Sequence, residues 1–149
     1  MNAAPPAVDH IAAVLPQQAG RLSRLVLRHA RTGLTRSETS ALSVLSGGPR
    51  RITELAEREG LAQPTMTGLV ARLEARDLVT RTRDPHDGRA VQLTLTAEGE
   101  RVLTELRARY VALLRDCLEA MEPEQVDALV AGGEALEALI TQLQRKESV

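Results

Sequence analysis

Between Arg83 and Arg89 lie Asp84, His86 and Asp87, an imidazole flanked by two carboxylates. Such a group can bind a metal ion or move protons. Either chemistry needs partners brought from elsewhere. The three side chains fall within one turn, and the other histidines, His10 and His29, lie far upstream in the first helical region. No metal site is expected. No nucleophile–base spacing, Gly-rich phosphate loop or nucleotide motif occurs, so neither an enzyme nor a cofactor is expected. The guanidinium groups remain. Pro85 and Asp87-Gly88 build a turn, and Arg83 and Arg89 are what it presents. Arginines on a turn suit phosphate or the negative potential of a narrow minor groove. Asp84 and Asp87 would repel DNA if exposed, so each is expected to pair with an Arg or to cap the turn.

A turn of this kind needs strands. "LVTRT" at 78–82 reads as one, and "AVQLTL" at 90–95 alternates apolar and polar residues as another. Upstream the period is helical. In "QPTMTGLVARLEAR", Met66, Leu69, Val70 and Leu73 are spaced i, i+3, i+4, i+7 and form one buried stripe. The opposite face holds Pro64, Gly68, Ala71 and Ala75, flanked by Thr65, Thr67 and Arg72. "ITELAERE" is a shorter helix with Thr53 as N-cap and Gly60 closing it. Before it, Thr35 and Glu38 have the spacing of a capping box. These pieces make a helix-turn-helix followed by a wing.

Long helices bracket that centre. One runs from Ile11 to Ala30, with Pro16 expected to kink or restart it. Thr96 caps another, striped by Leu103, Leu106, Tyr110, Leu113, Cys117 and Met121, with Cys117 read as a buried thiol. Pro123 opens the last, which Gly132-Gly133 interrupts. The apolar stripes exceed what the small centre could cover, and a second subunit is the best use for the surplus. The expected class is mainly α with a small β-hairpin wing. Residues 8–33 and 97–146 would form a helical dimerisation region around a winged helix-turn-helix at 34–96.

Composition agrees with a single compact unit: 149 residues, 43% hydrophobic and 26% charged. One cysteine excludes an intrachain disulfide or a multi-cysteine zinc cluster. Tyr110 is the only aromatic residue, which argues against base stacking and hence against single-stranded nucleic acid. No long apolar run and no signal-like N-terminus occur, so a cytoplasmic protein without membrane contact is expected. Net charge is −1, but its distribution matters more: residues 1–49 carry +3, residues 50–95 carry +1 and residues 96–149 carry −5. The acidity lies away from the centre, which leaves the centre free to meet phosphate.

At "GLAQPTMTGLVARLEARDLVTRTRDPHDGRAVQLTLTAEG", residues 60–99, the chain resembles the MarR family of winged-helix transcription regulators. The resemblance extends over roughly residues 20–145. It implies a homodimer on a pseudo-palindromic double-stranded DNA operator, usually as a repressor, often released by a small molecule or oxidant. It also matches Arg89 to the family's wing arginine, with Asp87 placed to orient it. Three positions depart from the family pattern: Ala62 replaces a capping residue, Asp77 replaces a helix-ending Gly, and Gly68 stands where Arg is frequent.

On this reading Gln63, Thr65, Thr67 and Arg72 meet base edges or nearby phosphates. Ser37, Thr53, Arg76 and Arg81 meet phosphate, and Arg83, His86 and Arg89 form the wing contacts. An effector cleft would take Leu22, Val26 and Leu42 as walls and Arg24 or Arg28 as an anion partner. The low charge of the centre and the small ridge on the second helix keep an alternative open: a winged-helix protein-interaction module that has lost DNA binding.

Overall fold

The computed structural model describes residues 6–30, 33–83 and 91–147. In chain order these form α1 (Pro6–Ala30), α2 (Arg36–Leu45), β1 (Arg50–Arg51), α3 (Ile52–Glu59), α4 (Gln63–Ala75), β2 (Val79–Arg83), β3 (Val91–Leu95), α5 (Ala97–Glu119) and α6 (Pro123–Glu147). Two compact units divide the chain, one reaching to Val111 and the other covering Ala112–Val149.

In the first unit, aliphatic side chains of α2, α3, α4, β2, β3 and α5 share one core. Leu42, Leu55, Met66, Leu73, Leu93 and Leu106 are essentially sealed from solvent. The predicted stripe of α4 is buried as expected. Burial of this kind is the main favourable term for so small a domain.

Local signals set the boundaries. The Thr35–Glu38 capping box starts α2, with both reciprocal hydrogen bonds formed. Gly60 ends α3 in the left-handed conformation at φ 61°. α4 begins at Ala62 without a side-chain cap, and Pro64 sits in its first turn, where a missing N–H costs nothing. α4 ends with Asp77 at φ 55°. The Asp77 and Leu78 amides donate to the Glu74 and Leu73 carbonyls at 2.9 and 3.0 Å, closing the helix end as a Gly would.

Two local expectations need correction. The sheet has three strands, antiparallel in the order β1-β3-β2, rather than two. Arg50 and Arg51 pair with Leu93 and Gln92, so α3 starts directly from a strand. Its N-cap is therefore Arg51, without a side-chain cap, and Thr53 lies inside the first turn. Of the two outcomes expected at Pro16, the restart is not found: α1 runs as one helix from Pro6 to Ala30.

Thr96 caps α5, its hydroxyl accepting from the Gly99 amide at 3.0 Å. That first turn presses on the end of α4: a Cβ at Gly99 would lie 2.1 Å from the Leu78 carbonyl oxygen. Only glycine permits this approach. In the second unit, α6 continues through Gly132 and Gly133 and leaves Leu129, Val130, Leu136 and Leu143 exposed. Cys117, expected to be buried, is exposed: the stripe of α5 is covered at Leu103 and Leu106 but not beyond Leu113 and Leu114.

Candidate nucleic-acid interface

α4 is anchored by Met66, Leu69, Val70 and Leu73, so its other face is turned to solvent by the helical period. Gln63, Pro64, Thr65, Gly68, Ala71 and Ala75 are all exposed there. This face is low and nearly free of charge, a shape that can approach base edges closely. The Thr67 hydroxyl donates to the Gln63 carbonyl at 2.9 Å, which leaves its methyl and its lone pairs for a partner.

The arginines around this face are already engaged. Arg72 donates from Nε to Glu38 Oε1 at 3.1 Å and from Nη1 to the Gly68 carbonyl at 3.2 Å. Arg76 donates to the Gly33 carbonyl at 3.1 Å. Arg81 forms a two-pronged pair with Glu74, at 2.9 and 3.1 Å. Each sits at the surface with part of its guanidinium exposed, so phosphate contact must share these groups with the protein or displace it. Thr53 is exposed in the first turn of α3, and Ser37 is half-buried at the start of α2.

Glu38 is the one buried charged residue among the described residues. Burial alone would raise its pKa. The Thr35 backbone amide at 2.9 Å and the Arg72 guanidinium outweigh that and hold the carboxyl below its ordinary value.

In the wing, β2 and β3 pair in register from Val79–Leu95 to Arg83–Val91. The Thr82 and Thr94 hydroxyls meet at 3.1 Å across the pair. Arg83 is exposed at the end of β2. His86 and Arg89, with Asp84 and Asp87, lie outside the described residues. Among the described residues no group of His, Cys, Asp and Glu is placed to hold a metal ion, and no helix is long and apolar enough to cross a membrane.

A separate open cleft of about 440 Å³ lies between α1, α2 and Tyr110. Leu22 and Val26, two of the residues named as effector-cleft walls, line it. Leu42 does not: it is fully buried in the core. Arg24 and Arg28 do not line it either; the cation in the wall is Arg36. The Thr39 and Tyr110 hydroxyls are buried at this cleft, and neither forms a hydrogen bond of acceptable geometry. Burial pushes the Tyr110 phenol above its ordinary value, with a smaller opposing pull from the nearby Thr39 hydroxyl.

The model of the MarR family matches residues 32–90, which hold α2, β1, α3, α4 and β2 and stop short of β3. An HTH-type transcriptional regulator of Mycobacterium bovis is 30% identical over 122 residues, covering 80% of this chain and 85% of that protein. The chain belongs to the MarR family. The HTH-type transcriptional repressor MdtR of Bacillus subtilis is 30% identical over 95 residues, 63% of this chain and 61% of that protein. The structure of the transcriptional regulator Tm0710 from Thermotoga maritima superposes with a TM-score of 0.67 at 29% identity, over 93% of this chain and 96% of that one. The chain spans about half the length of the first curated relatives it matches, at 54% and 53%.

In this member of the MarR family, the winged helix-turn-helix lies in the unit that reaches to Val111. Sequence reasoning missed three features of this unit. Glu38 was read only as half of a capping box, because its bond to Arg72 spans 34 residues and no local pattern encodes it. The place of Tyr110 in the cleft wall has no sequence signal beyond its being the sole aromatic residue. The two-residue β1 is too short to show alternation.

Proposed function

We propose that this chain is a transcription repressor that binds a pseudo-palindromic double-stranded DNA operator as a homodimer and is released by a small effector. The observation that carries the reading is the solvent face of α4. It is small and polar at its rim and is set on a buried stripe next to a two-stranded wing. One α4 per subunit enters the major groove, with Gln63, Thr65, Thr67 and Arg72 near base edges or phosphates. Arg83, His86 and Arg89 of the wing reach the adjacent minor groove. Ser37, Thr53, Arg76 and Arg81 approach phosphate. Repression is supported by the name of the relative MdtR.

The homodimer reading rests on apolar side chains that stay exposed on α1 and, separately, on α6. The effector site is the cleft at Tyr110. An apolar body fits Leu22 and Val26, and a hydrogen-bonding or anionic end fits the Thr39 and Tyr110 hydroxyls and Arg36.

Footprinting and gel retardation on the intergenic DNA beside the protein's own gene test the reading. Two half-sites with centres about 10 bp apart are expected. Arg89→Ala should weaken operator binding by about 1–3 kcal/mol. No retardation of any promoter fragment at low salt would overturn DNA binding. Unchanged affinity of a folded Arg89→Ala variant would overturn only the wing contact.

A further inference from the structure

Arg72 lies in the last turn of α4, flanking its solvent face, and is 60% exposed at the side chain. Its Nε and Nη1 are held on the protein, by Glu38 Oε1 and by the Gly68 carbonyl. Its Nη2 has no protein partner among the described residues, which leaves that donor available on a largely exposed side chain. An arginine on a helix surface otherwise samples many rotamers, and that freedom opposes any single contact. Here two bonds on one side of a planar group settle where its remaining donors point. The guanidinium lies against the helix beside Gly68, where an added Cβ would come no nearer than 3.9 Å to Nη1, an ordinary contact, so its seat does not depend on the glycine.

The holding group is itself fixed. The Glu38 side chain is only 6% exposed, and its second oxygen, Oε2, accepts from the Thr35 amide at 2.9 Å. The capping box of α2 therefore sets the carboxylate, and the carboxylate sets the arginine. A cap alone needs neither a buried charge nor a cation from another helix.

We propose that Glu38 is a positioning residue for DNA recognition, holding the Arg72 guanidinium on the flank of α4 so that Nη2 meets an acceptor on the DNA. This rests on the DNA-binding reading above. The acceptor is a guanine edge or a phosphate oxygen, the two groups that take an arginine donor in a groove. Glu38 touches no DNA in this arrangement and acts only through Arg72.

The test is a double-mutant cycle on the full-length protein, read by gel retardation against the operator fragment and against unrelated DNA of equal length. Circular dichroism and thermal unfolding establish that each variant folds. Arg72→Ala should weaken operator binding roughly ten-fold. Glu38→Gln should weaken it several-fold with Arg72 present and have no further effect once residue 72 is Ala. A purely structural role for Glu38 would instead give the same loss in both backgrounds, and that result overturns the proposal.

Arg72→Lys provides a second route if Glu38→Gln does not fold. One ammonium cannot hold Glu38 and reach out with a fixed fork, so it should lose nearly as much as Ala. Binding of Arg72→Lys at wild-type strength overturns the proposal. Losses on the operator alone point to guanine, and equal losses on both DNAs point to phosphate; either supports the positioning role. Wild-type protein that retards no DNA removes the DNA-binding reading and this inference together. Wild-type binding with Arg72→Ala unaffected removes the inference alone.

Discussion

Gly68 and Glu38 show how single residues on or beside α4 serve the surface rather than the core. A glycine in mid-helix costs about 1 kcal/mol relative to alanine. An added Cβ at Gly68 would make only an ordinary contact with Arg72. Gly68→Ala should therefore raise stability by about 1 kcal/mol in chemical denaturation, while weakening operator binding because the methyl group holds the helix off the bases. A stabilised variant that binds as before would show that α4 does not approach so closely. Glu38 makes a pH prediction. Its carboxyl is held below the ordinary value of 4.5. Its contribution to stability is thus complete above that value and is lost as pH falls through the lower folded-state value. The urea midpoint should drop between about pH 6 and about pH 3, and drop less in Glu38→Gln, where the ionisable group is gone. Equal acid sensitivity of the two proteins would assign the drop to other carboxylates.

At the scale of elements, the corner between α4, β2 and α5 governs how the wing is carried. Asp77 adopts a left-handed conformation that glycine takes without strain, and two backbone bonds still close the helix there. The Thr96 amide donates to the Leu78 carbonyl at 3.2 Å, and the Thr96 side chain donates to the Asp77 carbonyl. Gly99 then brings the first turn of α5 against the same backbone. A methyl group at Gly99 would meet a carbonyl oxygen that cannot turn away without breaking the bond to Thr96. Gly99→Ala should cost at least about 2 kcal/mol in thermal or urea unfolding. Wild-type stability in that variant would show that the corner relaxes freely.

The whole molecule leaves apolar side chains uncovered on α1 and on α6, among them Ile11 and Leu25 on the first and Leu139 and Ile140 on the second. Several large apolar residues exposed along one helix mark an association surface more often than a free face. Leu139→Glu should convert a dimer into monomers in analytical ultracentrifugation and reduce operator affinity, because two half-sites are then no longer read together. A variant that still sediments as a dimer would move the interface away from α6.

The helices and their caps were legible in the residues: the spacing of Met66, Leu69, Val70 and Leu73, the Thr35–Glu38 box, and Thr96 before α5 are local patterns that the chain encodes within a few positions. Asp77 stood out only through the family resemblance, as a replacement for a helix-ending Gly, and its left-handed φ of 55° came with the structure. Other features depend on distant residues and came only with the fold. β1 exists because β3 offers an edge to pair with, and that displaced the expected cap from Thr53. Leu42 went to the core, where side chains from distant elements seal it from solvent, while Arg36 and Tyr110 line one cleft from α2 and α5. Arg72, Arg76 and Arg81 read in sequence as candidate DNA contacts, with no partner in the protein named for any of them. Folding brought each to a partner far along the chain or across a turn, since short-range patterns fix which face a side chain takes but not what waits opposite it.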